Sequence, residues 1–167
     1  NNLKQAAKTM NFLTEHGISS YGELESKLNA VSARRDTAHA EIKRIESRSA
    51  ELALVMKHAG TYRQLKPLYD RYRKSNDKEK FLRGHESEII LFEAAARELK
   101  RLGAVPLPTT ESMKTELANL NAEKERLLAE YKAARTEAQE YDTVKQNVDA
   151  LLTVPKEQEQ QRRHELE

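Results

Sequence analysis

The chain contains no cysteine and no tryptophan. Without thiols it has neither a disulfide framework nor a thiolate nucleophile, which fits a cytoplasmic protein. No apolar run approaches the roughly 20 residues that span a bilayer, so a membrane is not an expected partner. No signal peptide is visible and the first residue is Asn rather than Met, so the chain reads as a fragment of a longer protein. Only five Gly and four Pro occur in 167 residues, so turns must be few. Catalytic signatures are also missing. The five histidines, His16, His39, His58, His85 and His164, never pair at i+3 or i+4, so no helical metal clamp is built. "HESEI" at 85–89 lacks the second His of a zinc-protease helix, and His85 is expected on a helix surface. There is no G-x-x-x-x-G-K phosphate loop, no G-x-S-x-G elbow and no nucleophile beside a base. The reading is no catalytic residue, no metal and no cofactor in this fragment, which by itself is not an enzyme.

What is present is helix-forming and charged. Charged residues make up 34% of the chain and hydrophobic ones 38%, too polar for a thick globular core but suited to helices with narrow apolar stripes. Leu24, Leu28, Val31, Arg35, Ala38, Ile42, Ile45, Ser49, Leu52 and Met56 step by four and three, a heptad stripe over about 50 Å of helix. Met113, Leu117, Leu120, Lys124, Leu127, Tyr131, Ala134, Ala138, Tyr141, Lys145, Val148 and Leu152 repeat the spacing. Neither stripe is satisfied alone, and antiparallel pairing of the two is the economical solution. The polar members, Arg35, Ser49, Lys124 and Lys145, are expected to lay their stems along the seam and fix its register. Leu128, Val144 and Leu151 widen the second stripe; if exposed, they call for a partner helix.

The punctuation sets the remaining elements. Residues 1–18 predict a short helix with Leu3, Ala6, Ala7, Met10 and Leu13 on its packing face and Gly17 as its stop. Ser20 with Glu23 matches a capping box that opens the first long helix, 20–58. Residues 59–108 predict a helical cap subdomain in which Pro67 kinks or restarts a helix. There Asn76 or Asp77 starts another helix. Phe81, Ile89, Ile90, Phe92, Ala95, Ala96, Leu99 and Leu102 form its broad face, and Gly103 ends it. Thr109 or Thr110 caps the second long helix, 109–152, and the polar segment 153–167 with Pro155 predicts a mobile tail. The expected fold is all-α: a long antiparallel two-helix coiled-coil hairpin, a small cap at one end and a bracing N-terminal helix at the other.

Net charge is only +2, yet positions 57–83 hold nine Lys/Arg against three Asp/Glu, a local +6 that leaves about −4 elsewhere. Lys57, Arg63, Lys66, Arg71, Arg73, Lys74, Lys78, Lys80 and Arg83 can neutralise phosphates, and Tyr62, Tyr69 and Tyr72 can stack on unpaired bases. The competing reading puts the tyrosines inside the cap and leaves the charges as solvated surface.

"NLKQAAKTMNFLTEHGI", "LYDRYRKSNDKEKFLRGHESEIILFEAAARELK" and "TVKQNVDALL" resemble the C-terminal helical region of relaxase/mobilisation nucleases of conjugative and mobilisable elements, over roughly residues 3–152. The resemblance implies a bacterial, cytoplasmic parent that nicks one DNA strand with a tyrosine and a histidine-bound metal in a missing N-terminal domain. No catalytic residue carries over to this fragment. It implies an accessory role: contact with single-stranded DNA through the twelve residues named above. The alternative is a spacer or interaction arm for a relaxosome protein, a secretion-channel coupling protein or a second copy of the chain.

Overall fold

The computed structural model describes residues 1–166, apart from the side chains of residues 154–156. The protein is all-α: α1 (Asn2–Glu15), α2 (Tyr21–Lys74), α3 (Lys78–Arg101) and α4 (Thr110–Glu165), with no strand among the described residues. Two compact units divide the chain, one of residues 1–41 with 126–167 and one of residues 42–125.

The first unit is a seam braced by α1. Cross-seam contacts join Tyr21 to Asp149, Arg34 to Glu137 and His39 to Tyr131, so the α2 and α4 segments run antiparallel. Leu24, Val31, Ala138, Tyr141 and Val144 form the buried cluster, with Phe12, Leu13, Ile18, Leu28 and Val148 packed against it. Ala38 and Ala134 are also buried. Within the second unit Arg44 faces Glu123 and Arg48 faces Glu116, again antiparallel. Here α3 joins the pair and buries Ile89, Phe92, Ala95 and Leu99.

The predicted stripes are the packed ones. All ten positions named on α2 are buried or half-buried, as are eleven of the twelve on α4; Leu152 is exposed. Near Leu52 the α2 stripe departs from strict heptads, because Val55 and Ala59 are buried alongside half-buried Met56. A helix with a second neighbour needs this wider arc. Of the polar seam positions, Lys124 reaches Glu46 at 3.4 Å, and the Lys145 ammonium lies 5.9 Å from the Tyr21 ring. Arg35 turns to its neighbour Asp36 instead.

Helix ends follow the sequence closely. Gly17 and Gly103 take left-handed φ values of 63° and 69°, which only glycine adopts without a Cβ penalty. Each completes a Schellman motif: Ile18 N–H donates to Leu13 O and Ala104 N–H to Leu99 O. The Asp77 side chain accepts from Lys80 N–H, and the Thr109 hydroxyl accepts from Ser112 N–H. At Ser20 the capping box is only half formed. Its hydroxyl accepts from Glu23 N–H, but the Glu23 carboxylate reaches one residue farther, to Ser19 N–H and Oγ. Those bonds hold the Glu23 carboxyl below its ordinary range, the Ser19 backbone bond foremost.

Three expectations, on the α1 face, Pro67 and Ile90, are corrected. The packing face of α1 is Thr9, Phe12 and Leu13, whereas Leu3 and Met10 are 87% and 59% exposed. Thr9 can be buried because its hydroxyl donates to Gln5 O at 2.9 Å and accepts from Asn147 Nδ2 at 3.3 Å. Pro67 does not break α2, which stays helical to Lys74. The lost N–H bond and ring clash cost about 3 kcal/mol, and the counterweight is a set of rings that must stay at helical spacing, described below. Ile90 is exposed rather than part of the α3 face. The break in α3 falls instead at His85, whose φ of −137° and ψ of 27° interrupt the helix. The segment 153–165 continues α4 as helix, and its side chains at 157–165 are exposed. The side chain of Pro155, and residue 167, lie outside the described residues.

Candidate nucleic-acid interface

All twelve candidate residues fall in the unit 42–125: Lys57, Tyr62, Arg63, Lys66, Tyr69, Arg71, Tyr72, Arg73 and Lys74 on α2, and Lys78, Lys80 and Arg83 on α3. The structure sorts them into three groups.

The tyrosines belong to the packing. Tyr62 and Tyr69, two helical turns apart on α2, stack on Phe92 with centroids 4.8 and 4.3 Å away and planes 26° and 25° apart. Tyr69 also meets Tyr72 at 5.9 Å, Tyr72 meets Phe81 at 6.0 Å, and Phe81 meets His85 at 4.7 Å. Each such pair adds about 0.5–1.5 kcal/mol beyond area burial, and the two stacks on Phe92 hold α2 on both sides of Pro67. Ring faces engaged this way are not free platforms for bases. His85, half-buried where α3 bends, sits with Nδ1 3.0 Å from a Glu88 carboxylate oxygen.

Three cations are already engaged. Arg63 donates to Pro108 O at 2.5 Å and to Thr110 Oγ1 at 2.9 Å, pinning the approach to α4. Lys66 pairs with Asp70 at 3.0 Å, and that bond raises the affinity of the ammonium for its proton. Arg71 lies with its guanidinium carbon 5.6 Å from the Phe81 ring centroid.

The rest are unengaged. Lys57, Arg73, Lys74, Lys78, Lys80 and Arg83 are exposed and make no ion pair or side-chain hydrogen bond among the described residues. Arg73 and Lys74 stand in the last turn of α2, where the helix dipole favours cations. Lys78 and Lys80 stand in the first turn of α3, where it disfavours them by about 0.3–1 kcal/mol each. Helix stability therefore does not account for that pair.

Beside this surface lies a groove of about 440 Å³ lined by Tyr62, Lys66, Tyr69, Asp70, Arg73, Phe92, Glu93, Ala96 and Arg97. Arg97 falls outside the basic run. Its place in the same groove as Arg73 comes from the pairing of α2 with α3, which charge counting along the chain does not register. Among the described residues, no cluster of three or more His, Cys, Asp or Glu side chains is arranged to hold a metal, and no helix is long and apolar enough to cross a membrane. No family model, no curated protein and no solved structure matches this chain.

Proposed function

We propose that this chain is a helical accessory region of a DNA-mobilising relaxase and that its unit 42–125 holds the phosphate backbone of single-stranded DNA. One observation carries the reading. Lys74, Lys78, Lys80 and Arg83 flank the α2–α3 turn and make no ion pair among the described residues, and two of them stand against a helix dipole. The unit carries 17 Lys/Arg against 13 Asp/Glu, a net +4, where the remainder of the chain has 12 against 14, a net −2. Exposed unpaired cations neutralise phosphates and release counterions in doing so. The contact is with the backbone alone, since the tyrosine faces are engaged.

The test is fluorescence anisotropy of a labelled single strand with the full chain at two salt concentrations. Binding at low salt that weakens steeply as salt rises supports the proposal; no salt-dependent binding at low salt ends it. Reversing charge at Lys74, Lys78 and Lys80 together should abolish the signal while leaving the helical circular dichroism unchanged.

A second reading, an arm that binds a partner protein or a second copy, rests on a different observation. Leu128 and Leu151 are 43% and 48% exposed, while Val144 is covered by the Phe12 side of α1. Sedimentation over a wide concentration range separates the two: a strict monomer counts against self-association.

A further inference from the structure

We infer that one phosphate of the bound strand is gripped between Arg73 of α2 and Arg97 of α3, inside the groove these helices form. The inference rests on the DNA reading above and extends its site to a residue outside the basic run. Both arginines line the same 440 Å³ groove, one from each helix, and neither makes an ion pair among the described residues. The third cation there, Lys66, is held by Asp70 at 3.0 Å, so the groove's uncommitted positive charge belongs to the two arginines. Two like charges lining one cleft repel. An anion between them relieves that repulsion, and the planar guanidinium fork matches two phosphate oxygens at once. Tyr62 and Tyr69 line the groove as well, and their hydroxyls make no hydrogen bond among the described residues, so they can donate to phosphate oxygens. Glu93 lines the same groove with no ion pair among the described residues, and its carboxylate opposes an incoming phosphate.

This arrangement gives opposite signs for neighbouring substitutions, which a merely structural role would not. R97Q should weaken binding of a labelled oligothymidylate about tenfold at low salt and lower the log–log salt slope by about one. R97K, keeping charge but losing the fork, should fall between. E93Q should tighten binding. Arg97 is exposed and unpaired, so R97Q should melt like the parent, and a melting scan checks this. If R97Q binds as the parent does while K74E/K78E/K80E loses binding, the groove is not the phosphate seat and the DNA reading survives. If the parent chain binds no strand, both fall. Inorganic phosphate alone is the calorimetric control: heat on its addition that R97Q abolishes would assign the groove to a free anion and overturn the strand.

Discussion

Residues 1–41 with 126–165 and residues 42–125 use segments of the same two helices but complete them differently. In the first unit the neighbour to the seam is a two-sided brace of one short helix, Phe12 edge-on to Tyr141 at 5.2 Å, and the excess charge is negative. Its cross-seam polar contacts include Tyr21 donating to Asp149 at 2.7 Å. In the second unit the neighbour is α3, whose Phe92 and Phe81 meet a row of tyrosine rings on α2, and the excess charge is positive. A narrow stripe suffices to pair two helices, so outward charge is left over from folding and is available for binding. Where that surplus is of one sign and unpaired, stability does not explain it.

The contrast can be broken most strongly at the rings. Phe92→Ala should cost about 3–5 kcal/mol and speed amide hydrogen exchange across 42–125, leaving the protection of 21–41 and 130–150 largely intact. Equal loss in both units would show that the division into two is not energetic. Ser20→Ala, which removes the N-cap of α2 in the first unit, should cost about 1 kcal/mol, seen as a lowered denaturation midpoint.

Next in size is acid. Glu116 is held below its ordinary range by the two Arg48 hydrogen bonds, at 2.7 and 3.1 Å. A carboxylate depressed in the folded state adds stability that is present above its unfolded pKa. That stability is lost as pH falls through the folded pKa. Melting midpoints of E116Q and the parent should therefore differ near neutrality, by no more than about 1 kcal/mol for so exposed a pair, and converge as acid titrates the carboxylate. The smallest effect sharpens the comparison from the other side: Lys78→Gln with Lys80→Gln should leave stability within about 0.5 kcal/mol or raise it slightly, since both oppose the α3 dipole. A marked loss would mean these lysines are structural after all.

The seam was legible because step sizes of four and three fix a face whatever the tertiary context. The caps were legible for the same local reason: Gly17, Gly103, Asp77 and Thr109 act within four residues. What escaped was decided by distance. The true face of α1 turns on a buried threonine whose hydroxyl is satisfied by Gln5 and by Asn147, 138 residues away, and an apolar pattern cannot register it. Pro67 reads as a break until the ring row that outweighs it is known. The basic run was visible as composition, but which of its cations are engaged was not. Arg63 is tied to Pro108 and Thr110, 45 and 47 residues downstream, and Arg97 joins Arg73 only through helix pairing.

The alanines of the first unit have one more consequence. Ala38, Ala134 and Ala138 are buried where the two helices face each other, next to the bulky Tyr141. Were one helix to slide by a heptad, tyrosine or leucine would have to enter a gap sized for a methyl group. Such a pair has a single tooth alignment. Creep of one strand of the pair past the other is therefore disfavoured by overpacking.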